Sequence, residues 1–297
     1  MTDSRVPRLR SALFVPAHRE DFREKACTSG ADALILDLED SVPPAERDQA
    51  RAALAHWFAA VGPTPAICVR INALADDCLD ADLDAAVRPG VLAVMVPKVA
   101  SADAVRRVAD AVTERERRAR IAEHSVRLWP SLEDAPAIRD AYALAGASDR
   151  IAYMGCAAAR NGDLAHSLGF EWTNSFLETL YVRSKVLVDM RAARIPNPMT
   201  GVVTNIDDLD EVEAFARQSR AIGYEGMMVI HPSHVPIVNS VFGASSDDVA
   251  AARRLLEAWD DATRAGVGAL NHDGHMVDAA MIRVAQDVAA RGTDKRP

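Results

Sequence analysis

Apolar residues along the chain gather into short runs of strand length: Ser11–Pro16, Ala33–Leu38, Ala66–Ile71, Val91–Val96, Val126–Leu132, Ile151–Met154, Gly201–Thr204 and Met227–Ile230. Between them, stretches such as Glu46–Ala60, Ala102–Arg118 and Asp207–Ile222 carry apolar residues at helical spacing on an otherwise charged surface. Eight such alternations predict an α/β protein with a (β/α)8 TIM barrel, a fold that takes about 250 residues and sets its site at the C-terminal ends of its strands. A doubly wound open sheet is the rival. The first run continues as FVPAHRED rather than as a glycine-rich phosphate loop, so a dinucleotide fold gains no support. The eighth run ends at His231 and Pro232. Residues 1–232 therefore read as the barrel domain, and 233–297 as a C-terminal helical extension with a glycine-containing break at Ala265–Gly268.

Composition narrows the function. A chain of 297 residues that is 49% hydrophobic has enough apolar material for one large core with an appendage. Its net charge of -9 argues against nucleic acid or an acidic membrane surface as partner, because those partners demand a basic face. Cys27, Cys68, Cys78 and Cys156 form no CxxC pair, so free thiols and no disulfides are expected. MTDSRVPRLR lacks a signal-peptide core and no apolar run approaches bilayer length, which leads to the expectation of a cytoplasmic protein with no membrane partner.

The stretch Ser125–Gly169 concentrates the candidate chemistry. Glu133 follows the fifth run and Asp163 the sixth, and a strand, helix, strand unit brings its parallel strands side by side, so both carboxylates emerge at one rim. Two carboxylates, with other positions left to water and substrate oxygens, suit Mg2+. The same rim collects Asp37, Glu39 and Asp40 after the second run, Arg70 and Asn72 after the third, Lys98 after the fourth and His231 after the eighth. Singly, each has a structural reading: Asp40 as a helix cap, Lys98 with Glu39 as an ion pair, His231 as a core histidine. Together, charges of both signs on one rim are costly unless paired or bound, which points to an anionic, metal-chelating substrate. Arg70 would grip its carboxylate through a planar fork that lysine cannot reproduce.

The motifs RSALFVPA at Arg10–Ala17, ADALILDLEDSV at Ala31–Val42, VRIN ending at Asn72, VPK ending at Lys98, Glu133, GDLAHSLG at Gly162–Gly169, GMMVIHPSHVPIVNSVF at Gly226–Phe242 and DGHMVD at Asp273–Asp278 resemble the citrate lyase beta-subunit and malyl-CoA lyase family, within the HpcH/HpaI aldolase superfamily. The resemblance implies that Glu133 and Asp163 hold Mg2+, that Arg70 binds the substrate carboxylate, that Gly162 and Asp163 lie against substrate, and that Arg10 lies against the acyl-CoA. It also implies that the C-terminal segment lids a neighbouring subunit's barrel and delivers Asp278 as the catalytic acid-base group, in a homo-oligomer such as a trimer or hexamer.

The chain departs from the family pattern in places. GCAAARNGD before Asp163 is longer than usual, and Ala17, Arg47 and His234 replace the customary glycine, lysine and glutamine. His272 and His275 offer a metal pair at helical spacing, with no third ligand in view. The expected activity is a Mg2+-dependent CoA ester lyase that cleaves a 3-hydroxyacyl-CoA of the malyl, methylmalyl or citramalyl type to an acyl-CoA and a 2-oxo acid. The alternatives are a metal-dependent aldolase of 4-hydroxy-2-oxo acids without CoA, a carrier-dependent citrate lyase beta-type subunit, and a malyl-CoA thioesterase.

Overall fold

A computed structural model describes residues 6–62 and 64–291. Eight parallel strands close into a barrel in sequence order: β1 Ser11–Pro16, β2 Ala33–Asp37, β3 Ala66–Arg70, β4 Val91–Val96, β5 Arg127–Leu132, β6 Tyr153–Cys156, β7 Asn197–Thr200 and β8 Gly226–Val229. The predicted (β/α)8 TIM barrel is thus the observed fold, and β8 pairs with β1 to close it. Strands so deeply buried need apolar residues on both faces, one toward the helices and one toward the barrel interior. Period-two alternation decides which: Ala33 and Ile35 of β2, and Ala93 and Met95 of β4, join Ala12, Cys68, Trp129, Tyr153, Met199 and Met228 in one packed interior cluster. Trp129 and Tyr153 lie 5.0 Å apart, and the Tyr153 hydroxyl donates to the Pro7 carbonyl at 2.6 Å, so this cluster fills the barrel toward its N-terminal end.

Helices form where the periodicity predicted them, and local caps set their starts. Ser101 caps Ala102–Ala119 by accepting from the Ala104 N–H at 3.2 Å, and Asp208 caps Leu209–Ile222 by accepting from Glu211 at 2.9 Å. One strand was misplaced by the sequence pattern. The seventh lies at Asn197–Thr200 rather than Gly201–Thr204, because Pro198 makes NPMT read poorly as a strand while the β-branched GVVT reads well. In a parallel ladder successive residues bond to alternate neighbours; Pro198 accepts from Glu225 through its carbonyl and loses only one donor.

The chain divides into two compact units, the first ending at Val241 and the second beginning at Phe242. Within the second, helix Ser246–Arg264 packs on helix Ala279–Arg291. The intervening segment is not helical: β9 Leu270–His272 and β10 His275–Val277 form an antiparallel hairpin around Asp273 and Gly274, both at positive φ. His272 and His275 are therefore cross-strand partners rather than helical neighbours, and among the described residues no group of three or more metal-ligating side chains exists to complete a site for them. All four cysteines are free.

Candidate active site

A cavity of about 410 Å3 opens at the C-terminal ends of the barrel strands. Its polar wall is Asp37, Asp40, Ser41, Arg70, Ser131, Glu133 and Asp163, and its apolar wall includes Phe14, Val202, Met228 and Ile230. Gly201, at the end of β7, completes the floor of one side. A Cβ there would lie 2.3 Å from the Ala158 carbonyl oxygen, so only glycine lets the β7 and β6 exits touch backbone to backbone.

Arg70 is the last residue of β3 and Asp37 the last of β2, and the two are register partners, which explains their contact. Arg70 Nε and Nη2 donate to Asp37 at 2.6 and 2.7 Å. The Asp37 carboxylate also accepts from the backbone N–H groups of Glu39 and Ser41 at 3.0 and 3.1 Å, and from the Ser41 hydroxyl. Burial pushes the Asp37 carboxyl up, but the Arg70 charge and these hydrogen bonds outweigh it and hold the group below the usual carboxylate range. One edge of the guanidinium is thus spent on the protein. The Nη1 side is engaged as well, facing Glu39 at 3.2 Å and donating to the half-exposed Asp40 at 3.3 Å. Phe14 backs the guanidinium, with its ring centroid 4.9 Å from Cζ.

Lys98 stands at the opposite side of the same cluster. Its backbone adopts φ 49°, a left-handed conformation uncommon for a residue with a side chain. From there Nζ reaches Glu39 and Asp40, each at 2.9 Å, and Asp163 at 3.5 Å. The predicted pair of Lys98 with Glu39 is present. Glu39 itself is 3% exposed, and neither of its oxygens accepts a well-directed hydrogen bond. Burial, with the neighbouring Asp40 charge adding to it, outweighs the two cations and pushes the Glu39 carboxyl up to about 7.

Glu133 follows β5 and is buried at the cavity wall, while Asp163 begins the helix Asp163–Leu168 and is half-exposed. Burial raises the Glu133 carboxyl above its ordinary value; the Ser131 hydrogen bond and the charges of Arg70 and Lys98 oppose the rise, and the Asp163 charge adds to it. A buried carboxylate that still feels a second carboxylate in the same cavity is an acceptor set short of cation. Two hard oxygen donors, with no third protein ligand among the described residues, fit a divalent ion that keeps most of its waters, as Mg2+ does. Gly162 caps the Asp163 helix and also lines the cavity.

One expected site residue lies at the other end of the barrel. Arg10 precedes β1 and sits at the N-terminal end of the barrel, where its backbone N–H, Nε and Nη2 bind Asp32 at 2.8, 2.9 and 2.7 Å. It lines no part of the cavity, because β1 runs its full length between them. Asp278 belongs to the second unit. It follows β10, and its carboxylate accepts from the Met281 N–H at 3.2 Å at the start of helix Ala279–Arg291. Sequence reasoning missed Phe14 and Ser131, each within two residues of a strand end, and Ser41, in the turn four residues past the end of β2. Their places at or just beyond the C-terminal ends of strands could have found them.

A parallel barrel with two carboxylates and an arginine around a cavity at its C-terminal rim has the architecture of a TIM-barrel enzyme site. The chain belongs to the HpcH/HpaI aldolase/citrate lyase family, which matches residues 10–232, and it is accordingly a lyase-family enzyme. It is 30% identical over 283 residues to a (3S)-malyl-CoA thioesterase of Cereibacter sphaeroides, covering 95% of this chain and 94% of that one. It is 26% identical over 297 residues to the mitochondrial citramalyl-CoA lyase of Homo sapiens, covering 97% and 86%. The crystal structure of CitE from Mycobacterium tuberculosis in complex with magnesium, acetoacetate and coenzyme A superposes with a TM-score of 0.74 at 29% identity, covering 96% of this chain and 98% of that one.

Proposed function

We propose that this protein catalyses the reversible, Mg2+-dependent carbon-carbon cleavage of a 3-hydroxyacyl-CoA of the malyl, methylmalyl or citramalyl type, giving an acyl-CoA and a 2-oxo acid. The observation that carries the reading is the placement of Glu133, Asp163 and Arg70 around one cavity. The human relative named for citramalyl-CoA cleavage, and the Mycobacterium relative bound to magnesium, acetoacetate and coenzyme A, support it.

Bound between Glu133 and Asp163, magnesium would supply Lewis-acid polarisation of the 2-oxo acid's carbonyl. Arg70 contributes position. With Asp37 fixing one edge of its guanidinium, the other edge meets the acid's carboxylate and displaces Asp40, so the grip is pre-set rather than assembled on binding. The apolar wall of Phe14, Val202, Met228 and Ile230 excludes water around the reacting carbons. Asp278 is the residue the DGHMVD motif assigns to proton transfer at the thioester's α carbon, removing a proton for condensation and returning it after cleavage. In this reading the protein works in the cytoplasm as a homo-oligomer, in which the second unit of one subunit completes the site of its neighbour.

Incubating the protein with a panel of acyl-CoAs and glyoxylate or pyruvate, with and without magnesium, and resolving products by mass spectrometry tests the proposal. The expected product is a 3-hydroxyacyl-CoA that forms only when both substrates and the metal are present. Release of free CoA with no new carbon-carbon bond would instead establish thioester hydrolysis, the activity for which the Cereibacter relative is named. Cleavage of CoA-free 4-hydroxy-2-oxo acids alone would establish the aldolase reading.

A further inference from the structure

We infer that Glu211 is a positioning residue for Asp163: a buried carboxylate outside the cavity that pins both flanks of the short helix on which Asp163 stands. The inference rests on the magnesium reading above. Asp163 is 56% exposed, and among the described residues the one cation its side chain meets is Lys98, 3.5 Å away, so its place is set by its backbone. That backbone is a helix of six residues, Asp163–Leu168, far too short to persist by its own hydrogen bonds. It is entered through Asn161, whose φ of 57° is a conformation that side-chain-bearing residues adopt rarely and only where the surroundings impose it. Something must therefore hold the loop.

The holding group comes from the helix after β7. Ala157, Ala159 and Gly162 line the cavity, whereas Arg160 does not and turns outward, where its Nη2 donates to Glu211 Oε1 at 2.9 Å. Beyond the short helix, Trp172 Nε1 donates to the same oxygen at 2.7 Å. One oxygen atom thus ties the segment before the Asp163 helix to the segment after it. Glu211 is 6% exposed, and its own N–H is capped by Asp208 at the start of helix Leu209–Ile222. Phe215, one turn further along that helix and wholly buried, packs against Trp172 and Phe176 at 5.4 and 5.2 Å between ring centroids. The anchor is consequently rigid on its own side. The second Glu211 oxygen, Oε2, is buried without a hydrogen-bond partner, so the carboxylate is retained at a cost that its two donors and the loop they hold must justify. The loop containing Arg160 and Asn161 is the element that the anchor secures.

Three variants of the full-length protein test the inference: Arg160→Met, Glu211→Ala and Glu211→Gln, whose amide oxygen can still accept from both donors. The measurements are Mg2+ affinity by calorimetry without substrate, amide hydrogen exchange of residues 157–168 in the metal-free protein, and kcat and KM for the oxo acid. Arg160→Met and Glu211→Ala should weaken Mg2+ binding by roughly tenfold or more and raise exchange within 157–168 while β1–β4 keep their protection. Glu211→Gln should restore most of both. The KM for the oxo acid should rise with the metal Kd. Unchanged Mg2+ affinity and unchanged exchange in 157–168 for Arg160→Met overturn the inference, as does exchange that rises evenly through the whole barrel. Should Glu211→Ala fail to fold, Arg160→Met carries the test, because that side chain is partly exposed. Asp163→Asn separates the two readings: if it binds Mg2+ as tightly as the unaltered protein, the metal assignment fails and the anchor is judged on exchange alone.

Discussion

Glu39→Gln gives the sharpest test of the electrostatics at the barrel rim. Burial pushes the Glu39 carboxyl up to about 7 in the folded chain from about 4.5 when unfolded, so ionising it in place costs about 3 kcal/mol. Its folded value is the raised one. The stabilisation it lends is therefore complete below about pH 4.5 and is lost as pH climbs through about 7. Between about pH 5 and pH 7.5 the loss amounts to roughly 2 kcal/mol, since about a quarter of the whole is already lost at the lower limit and nearly all of it at the upper. Glutamine fills the same volume and does not titrate. Urea unfolding at the two pH values should show the variant gaining about 2 kcal/mol on the unaltered protein as pH rises, with the m-value unchanged. Arg70 and Lys98 keep their charge throughout this window, so subtracting one protein's curve from the other isolates Glu39. A difference that stays constant within about 0.5 kcal/mol across the two pH values would refute the reasoning, because it would mean that the two cations hold Glu39 ionised despite its burial.

Further predictions concern the site. Glu133→Gln and Asp163→Asn should each abolish catalysis and Mg2+ binding while retaining the barrel's circular dichroism, and chelation should silence the unaltered protein reversibly; activity of either variant in chelator would count against the metal pair. Arg70→Lys keeps one charge but cannot span Asp37 and a ligand carboxylate at once, so the KM for the oxo acid should rise at least tenfold. Because it also leaves the buried Asp37 short of a donor, it should cost about 1–3 kcal/mol in denaturant unfolding. Asp278→Asn should lose cleavage without loss of assembly, and mixing it with Glu133→Gln subunits should restore part of the activity if one site draws on two chains. Full activity of Asp278→Asn alone on CoA thioesters would favour a carrier-dependent reading.

The barrel was legible because its strands are continuous apolar runs with polar residues just past their ends. β1 and β4 were readable to the residue. β7 was not, since the proline in Asn197–Thr200 hides a strand that the next, β-branched residues imitate. The second unit's hairpin was read as helix because three-residue strands around Asp273 and Gly274 are too short to show a period. At the site, the motifs supplied the identities of Arg70, Glu133 and Asp163, and the order of strands placed them at one rim. Arg10 shows the limit of that reasoning: a motif spanning a whole strand does not say which of its ends faces the ligand. The Asp37 grip on Arg70 and the Glu211 contacts with Arg160 and Trp172 join residues 33, 51 and 39 positions apart, and no local pattern encodes them.

The backbone contact at Gly201 also determines where this enzyme's substrate range can change. With a Cβ there meeting the Ala158 carbonyl at 2.3 Å, no side chain of any size can be grafted at position 201 without prising apart two strand exits, one of which leads to Asp163. Selection for a bulkier or smaller substrate is thereby channelled to the cavity's apolar lining, Phe14, Val202, Met228 and Ile230. A mutant library spread over those four positions should yield altered substrate preferences in folded proteins, whereas one centred on position 201 should yield mostly misfolded ones.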